Sequence, residues 1–277
     1  MKKALLLALA ALPALAIAQT VYVNETFDVS ETIGNAPTDA AQRRSSVSTV
    51  QIGAGAIGTD NVARFVDSSA ATSGALEYSV GATAVDNLFI QFDVLNNGIS
   101  GATSSFIFAV GLINDGTSSV LGASAARAIA VDFSSATSTV NIRSTSTSFA
   151  TGTYSGLQTV KIWVNDKDGA TVSYNRPDNG SIATLAANSA VVWINNALIG
   201  SATESGISMA SLASTISASP TLGRLGFNTT STGIADFSID NLLVTSIPVA
   251  IPEPAASAAL GGAVLLGLAA LRRSRRG

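Results

Sequence analysis

The chain has 277 residues, of which 47% are hydrophobic and 12% are charged, and its formal net charge is −3. It contains no cysteine and no histidine, which excludes disulfide bonds, thiol chemistry and a Ser-His-Asp triad. Six of the 15 basic residues lie at the two ends, so residues 19–251 carry 9 basic and 17 acidic residues, a net charge of −8. That balance argues against nucleic acid as a partner.

Residues 1–18 have the three regions of a secretory signal peptide. Two lysines precede a short apolar run, and the small residues Ala16 and Ala18 stand where signal peptidase requires them, so cleavage is expected before Gln19. The alternative is an uncleaved anchor, but Pro13 interrupts an apolar run that is already too short to cross a bilayer. The sequence therefore predicts export.

Residues 19–247 are predicted to form one domain of short strands separated by turns. Apolar and polar residues alternate with a period of two, which is typical of strands with one buried face. The clearest strands are 88–94, 106–112, 129–133, 160–164, 191–194, 224–227 and 235–244. This regular succession predicts an all-β fold, either a sandwich or a barrel. A short helix or a long loop is expected over 205–216.

The second half of this domain resembles the concanavalin A-like, laminin-G-like jelly roll. The resemblance covers roughly 157–246 and is carried by LQTVKIWVNDKDGATVSYNRPDNG, VVWINNALIG and LGRLGFNTTSTGIADFSIDNLLVTS, which contains the pair Asp240-Asn241. It implies an antiparallel β-sandwich in which the first and last strands pair, so that 21–29 would lie beside 235–244. Fold likeness alone does not determine function.

Laminin-G-like folds often hold calcium at a loop, and Asn165, Asp166 and Asp168 form the candidate site here. A calcium-binding loop has ligands at alternate positions and a distal glutamate. In this chain Lys167 lies between the candidates and no glutamate follows them. A tight hairpin turn explains the same residues, so we predict no metal or other cofactor, with calcium as the alternative.

Trp163 and Trp193 are the candidate glycan contacts, because sugar binding commonly needs aromatic platforms. Trp163 lies on the opposite side from the apolar residues of its strand and next to Lys161, so it is expected to face outward. The alternative is that both rings are packed inside the domain, as tryptophans in β-sandwiches usually are.

Glycoside hydrolysis requires two carboxylates that flank the scissile bond. The domain has four glutamates, and none lies in the closely spaced acidic motif of concanavalin-like glycosidases. Asp236 and Asp240 lie four residues apart on one face of the last strand, so they could converge. An outward polar face explains both residues without catalysis. We therefore predict no catalytic residues and no enzymatic activity.

The C-terminal segment 248–277 begins with a short linker and a rigid motif, Pro252, Glu253 and Pro254. Residues 255–271 are uncharged and nearly long enough for one transmembrane helix. A basic membrane stop follows, formed by Arg272, Arg273, Arg275 and Arg276. These arginines predict a cytoplasmic C-terminus and therefore a domain outside the membrane.

This order of motif, helix and arginine cluster closely resembles the sorting signal of PEP-CTERM proteins, which are exported proteins of Gram-negative bacteria. The resemblance implies a processing partner, a membrane-embedded protease of the exosortase class, which would cut near Pro252–Pro254. The precursor would be held in the inner membrane only transiently and then reach the cell surface or the extracellular matrix. The alternative is a permanent C-terminal anchor.

Three functions remain compatible with these observations. The first is a structural or adhesive component of the surface or matrix, and it is the hypothesis that the sequence favours. The second is a lectin-like module that binds polysaccharide through Trp163 or Trp193. The third is a glycoside hydrolase, which the acidic residues support least.

Overall fold

The structure is a computed structural model. It describes residues 19–27, 42–45, 50–54, 57, 61–67, 74–81, 83–98, 105–112, 126–134, 137–144, 148–200, 203–210, 212, 221–229 and 234–247. The predicted signal peptide (1–18) and sorting signal (248–277) lie outside these ranges and stay predictions. Within the described ranges, no helix is long and apolar enough to cross a membrane.

Strands make up the regular structure of the described residues. They are β1 (Val21–Glu25), β2 (Gln42–Ser45), β3 (Val50–Ala54), β4 (Asn61–Asp67), β5 (Ala75–Ser79), β6 (Asn87–Asn96), β7 (Ser105–Leu112), β8 (Arg127–Ser134), β9 (Thr139–Arg143), β10 (Ser148–Thr153), β11 (Leu157–Asn165), β12 (Val172–Asn175), β13 (Ile182–Leu185), β14 (Ser189–Ile194), β15 (Ala197–Ile199), β16 (Ile207–Ser208), β17 (Leu222–Thr229) and β18 (Ala235–Thr245). In the described part of 205–216, the short strand β16 stands where a helix or a loop was expected.

The strands form two large antiparallel sheets and one hairpin. The nine-stranded sheet has the order β15-β14-β11-β6-β18-β4-β3, with β1 added to β18 and β16 added to β14. The seven-stranded sheet has the order β10-β9-β8-β7-β17-β5-β2. Strands β12 and β13 pair only with each other, and we call them the outer hairpin. The all-β, antiparallel prediction is therefore confirmed.

The core lies between the two large sheets and is built from phenylalanines that meet across the gap. Phe65 of the nine-stranded sheet lies 5.0 Å, centroid to centroid, from Phe106 of the seven-stranded sheet. Phe92 lies 5.0 Å from Phe227 in an edge-to-face arrangement, and Phe237 stacks on Phe106 at 4.8 Å. Such contacts add to the large stabilisation from burying the rings. Two sheets that share one core make a sandwich and not a barrel.

The first and last described strands pair, as the jelly-roll resemblance implied. Residue Val23 of β1 lies opposite Val244 of β18. The pairing of β18 with β6 shifts register between Asp240 and Leu243, and within this bulge Asn241 takes a positive φ of 53°. Asparagine tolerates that left-handed conformation better than most residues do. The Asp-Asn pair therefore has a clear role in bending the strand.

The outer hairpin covers part of the nine-stranded sheet on the side away from the main core. Tyr174 and Leu185 of the hairpin are buried against Trp163, Val191 and Trp193 of the sheet. The rings of Trp163 and Tyr174 lie 4.8 Å apart. The alternate positions of β11 and β14 point into the main core, so β14 and the second half of β11 are buried on both faces.

Candidate functional site

The two tryptophans lie under the outer hairpin and do not form an exposed platform. Trp163 is 5% exposed and Trp193 is 2% exposed. Trp163 does point away from the main core, as its alternation predicted, but the hairpin covers it. The guanidinium of Arg176 lies 5.7 Å above the ring of Trp193. The predicted sugar-stacking role therefore disagrees with the burial of both rings, which instead form a second, smaller core.

The calcium candidates Asn165, Asp166 and Asp168 make hydrogen bonds that stabilise the turn after β11. The side-chain amide of Asn165 donates to two backbone carbonyls at 2.8 and 2.9 Å. The hydroxyl of Thr221 donates to Asp166, and Asn188 Nδ2 donates to Asp168 Oδ1 at 2.6 Å. Burial raises the pKa of Asp166, and the nearby carboxylate of Asp168 raises it further. Nowhere in the described ranges does a group of three acidic residues suited to a metal ion occur.

The candidate acids Asp236 and Asp240 share the outward face of β18, as predicted, but each has other interactions. Arg64 donates to both oxygens of Asp236, at 2.9 and 2.6 Å, and Asn97 donates to one of them at 2.8 Å. Asp240 accepts the backbone N–H of Asn241 at 2.7 Å. These contacts favour the structural interpretation of the pair over a catalytic one.

A polar site that the sequence analysis did not single out lies on the seven-stranded sheet, on the side away from the main core. Asp132 alternates with the core residues Val131 and Phe133, and Arg224 and Asn228 alternate with core residues of β17 in the same way. Cross-strand pairing brings polar residues of four strands together on this side. We call Glu77, Asp132, Arg143, Arg224 and Asn228, with the small residues between them, the outer polar face.

One row of directly paired residues crosses the outer polar face. Arg143 of β9 pairs with Ala130, Ala130 with Ala109, Ala109 with Gly226, and Gly226 with Glu77 of β5. Adjacent strands lie about 4.8 Å apart, so the row is roughly 19 Å long. Its three central residues are small and buried, with Ala109 and Ala130 at 0% exposure, and its two ends are long and charged.

One ion pair lies at each end of this row. Arg143 Nη2 lies 3.2 Å from Asp132 Oδ2, and Arg224 Nη1 lies 4.0 Å from Glu77 Oε2. Burial raises the pKa of Asp132, while the positive charge of Arg143, a hydrogen bond with the side chain of Ser105 and the positive charge of Arg127 oppose that shift. Asp132 is only 9% exposed. One buried carboxylate is thus within electrostatic reach of two guanidinium groups.

Four buried side-chain atoms of the outer polar face have no hydrogen-bond partner in the described part of the chain. Two are acceptors, Asp132 Oδ1 and Asn228 Oδ1, and two are donors, Arg143 Nε and Arg224 Nε. A buried polar atom without a partner costs about 1–3 kcal/mol. Such atoms are rare in folded proteins, and four on one face call for an explanation. These four atoms are shielded from solvent, although the side chains of Arg143 and Arg224 are 23% and 12% exposed.

One signal in the sequence could have identified this face. The outward positions of β7 and β8 include Ile107, Ala109 and Ala130, although a solvated outer face normally carries polar residues there. Strands β7 and β8 are therefore buried on both sides. A strand that lacks polar alternation is expected to be covered on both of its faces.

No protein-family model matches the chain, and no curated protein matches its sequence. Among solved structures, it is similar to the carbohydrate esterase vb_24B_21 from Shiga toxin-encoding bacteriophage phi24B, with 15% identity over 83% of this chain and 100% of that one and a TM-score of 0.49. It is similar to the Emp47p carbohydrate recognition domain, with 12% identity over 83% of this chain and 98% of that one and a TM-score of 0.49. A third similar structure is lectin I-B4 from Griffonia simplicifolia, with 13% identity over 81% of this chain and 100% of that one and a TM-score of 0.40. At these scores, the similarities carry no argument about what this chain binds.

Proposed function

We propose that this protein is an exported polysaccharide-binding module and that the outer polar face is its binding site. The observation that carries the proposal is the group of charged and amide side chains on this face, with four partnerless atoms, in which the side chains of Arg143 and Arg224 remain 23% and 12% exposed. Sugar hydroxyls both donate and accept, so a glycan could form hydrogen bonds with the exposed parts of these side chains.

This proposal replaces the tryptophan platform with a polar surface. Trp163 and Trp193 contribute to the packing of the outer hairpin, and the glycan would lie on the other sheet of the sandwich. Between the two leading hypotheses from the sequence, we therefore favour polysaccharide binding over a purely structural role. Binding to a matrix polysaccharide would also serve adhesion, so the two roles are compatible.

We also propose that binding occurs without hydrolysis. The contacts of Asp236 with Arg64 and Asn97 support this, since these donors hold both oxygens of the carboxylate. A general acid must instead be free to protonate the leaving group. The carboxylates of the outer polar face, Asp132 and Glu77, each lie beside an arginine.

The proposed route to the polysaccharide rests on the sequence at both ends. The signal peptide 1–18 would direct export, and the segment 248–277, which resembles a PEP-CTERM sorting signal, would bring the domain to the cell surface or matrix. Signal peptidase and an exosortase-type protease would be its processing partners.

The test is a glycan array and affinity electrophoresis with the protein purified from the exported fraction. The change Asn228→Ala removes one partnerless acceptor, and we expect it to weaken binding about five- to tenfold, the loss of one hydrogen bond of about 1 kcal/mol or somewhat more. Thr159→Ala is the control, because Thr159 lies on the nine-stranded sheet. Absence of binding to every glycan would contradict the proposal, as would equal affinity of the wild type and Asn228→Ala.

A further inference from the structure

We infer that the side-chain amide of Asn179 is a site of spontaneous deamidation in the folded protein, and that the fold protects Asn97 from the same reaction. The chain contains two Asn-Gly pairs, Asn97-Gly98 and Asn179-Gly180. Glycine has no side chain to shield its backbone nitrogen, so that nitrogen can approach the side-chain carbonyl carbon of the preceding asparagine. The two pairs share this local chemistry and differ in their surroundings.

The reaction is an attack by the backbone nitrogen of the glycine on Cγ of the asparagine. The new N–Cγ bond closes a succinimide ring, the Cγ–Nδ2 bond breaks, and Nδ2 leaves as ammonia after it takes up the proton of the glycine N–H. Water then opens the ring at one of its two carbonyl carbons and gives aspartate or isoaspartate. Negative charge develops on Oδ1 during the attack, so a hydrogen-bond donor at Oδ1 stabilises this step.

Asn179 lies in the exposed turn between the two strands of the outer hairpin. The backbone N–H of Ser181 donates to Asn179 Oδ1 at 2.9 Å, which places a donor where the negative charge develops. Gly180 is also exposed, and its N–H donates to the carbonyl of Arg176 at 2.9 Å within the same turn. A hydrogen bond in an exposed turn opens easily, so the nitrogen of Gly180 becomes available for the attack.

The side chain of Asn97 has the opposite arrangement. Its Nδ2, the atom that must leave, donates to Asp236 Oδ1 at 2.8 Å and to Ser238 Oγ at 3.0 Å. Its Oδ1 is buried and has no hydrogen-bond partner among the described residues, so charge developing there would be unstabilised and the nearby carboxylate of Asp236 would repel it. The N–H of Gly98 donates to Asn96 Oδ1 at 3.0 Å. Both glycine nitrogens are therefore hydrogen-bonded at the start, and the asparagine side chains make the difference.

Deamidation of Asn179 would act on the ion pairs of the outer hairpin. Arg176 donates to both oxygens of Asp178, at 3.0 and 2.7 Å, and its Nη1 lies 2.7 Å from Glu204 Oε1. The reaction adds a third carboxylate near these groups, and isoaspartate lengthens the main chain of the turn by one carbon. The same guanidinium lies above the ring of Trp193. The modification therefore changes how the hairpin packs on the nine-stranded sheet.

The experiment incubates the exported protein at mildly alkaline pH, folded and in urea, and follows both asparagines by peptide mapping and mass spectrometry. In urea the surroundings are lost, and we expect similar rates at the two pairs. In the folded protein we expect Asn179 to react about tenfold or more faster than Asn97, which corresponds to about 1.4 kcal/mol in activation free energy. Equal rates in the folded protein, a faster reaction at Asn97, or an Asn179 that reacts only in urea would overturn the inference.

The variant Ser238→Ala removes one of the two acceptors that hold Asn97 Nδ2. We expect it to speed deamidation of Asn97 about three- to tenfold in the folded protein, the effect of one hydrogen bond, and to leave the rate at Asn179 unchanged. Ser79→Ala, on the seven-stranded sheet, is the matched control, and the melting temperature reports whether each variant is folded. An unchanged rate at Asn97 in folded Ser238→Ala would contradict the protective role of this contact. The comparison within the wild type does not depend on the variant, and neither measurement depends on glycan binding.

Discussion

Gly111 lies at the bulge where the pairing of β7 with β8 shifts register. A Cβ atom at this position would lie 1.9 Å from the carbonyl oxygen of Ala126, which belongs to the backbone and cannot move aside as a side chain can. The absence of a side chain at Gly111 therefore allows two backbone segments to approach each other. This close approach lies at one edge of the outer polar face, because Gly111 pairs with Arg224.

We predict that Gly111→Ala destabilises the protein by about 3 kcal/mol or more, at the upper end of the cost of overpacking, because the backbone must shift. Gly152→Ala is the control, since its new methyl group would meet the flexible end of Ile199 at 3.0 Å. Urea denaturation, followed by circular dichroism, measures both. Similar midpoints for the two variants would contradict the close approach at Gly111.

At the scale of single residues, the sequence correctly predicted which side of a strand a side chain occupies, but it did not predict what packs against that side chain. Alternation correctly placed Trp163 on the side of β11 away from the main core, and it placed Asp132 opposite Val131 and Phe133. It could not show that Tyr174 and Leu185 would cover the tryptophan. The period of a strand specifies which of two sides a residue occupies, but what packs on that side is decided by contacts distant in sequence.

At the scale of strands and sheets, Tyr154 connects the ends of the two large sheets. Its hydroxyl donates to the carbonyl of Ser134 at 2.8 Å, at the end of β8, and accepts from Asn96 Nδ2 at 3.1 Å, at the end of β6. Burial raises the pKa of Tyr154 to about 12, and the charge of Asp132 adds to that shift, while the hydrogen bond from Asn96 opposes it. The folded protein therefore favours the neutral phenol.

The raised pKa of Tyr154 predicts that the folded state loses stability at alkaline pH. In the unfolded chain a tyrosine ionises near its ordinary value of about 10, so between pH 10 and about 12 the folded state holds more protons than the unfolded state. Stability from Tyr154 is then fully present below pH 10 and is lost as the pH rises toward 12. We expect Tyr154→Phe to cost about 1 kcal/mol at pH 8 and to reduce this alkaline loss.

Denaturation curves at pH 8, 10 and 11 for the wild type and Tyr154→Phe test this prediction. Tyr22→Phe is a suitable control, because Tyr22 lies on β1 and its pKa is also raised by burial, although it has no corresponding bridge between the sheets in the described structure. A gap between wild type and Tyr154→Phe that stays constant or widens with pH would contradict the assigned pKa.

The positions of the strands in the sequence were largely predictable, whereas the order in which the strands pair within the sheets was not. Alternation in β6, β7, β8, β11 and β18 agrees with the observed elements. The row from Arg143 to Glu77, however, joins five strands in the order β9-β8-β7-β17-β5, and residues as far apart as Ala109 and Gly226 become partners. No local pattern encodes such a pairing. The candidate site is formed only by this long-range register, so local patterns in the sequence do not predict it.

At the scale of the whole molecule, the balance of charge differs between the parts of the chain. The ends of the chain are basic, the domain between them is acidic, and the outer polar face pairs two arginines with two carboxylates. A net charge of −8 keeps the domain soluble and discourages nonspecific contact with anionic surfaces.

The two ends predict a processing history that can be measured on the intact protein. Cleavage before Gln19 and near Pro252–Pro254 would remove the apolar segments at both termini and leave the acidic domain. Intact-mass analysis of the exported protein reports both cleavages in one spectrum. We expect a mass that corresponds to a chain starting at Gln19 and ending near the motif, recovered outside the inner membrane.

The motif itself is tested by changing Pro252, Glu253 and Pro254 to alanine. Proline disfavours helix, so the two prolines are expected to keep this segment extended, as a protease requires of its substrate, and alanines would let the predicted apolar helix continue into it. We therefore expect the variant to accumulate in the membrane as a precursor that retains residues 255–277. Val249→Ala, in the preceding linker, is the control and should be processed normally. Normal release of the triple variant would mean that the protease does not read this motif, and permanent retention of the wild type would favour a plain anchor.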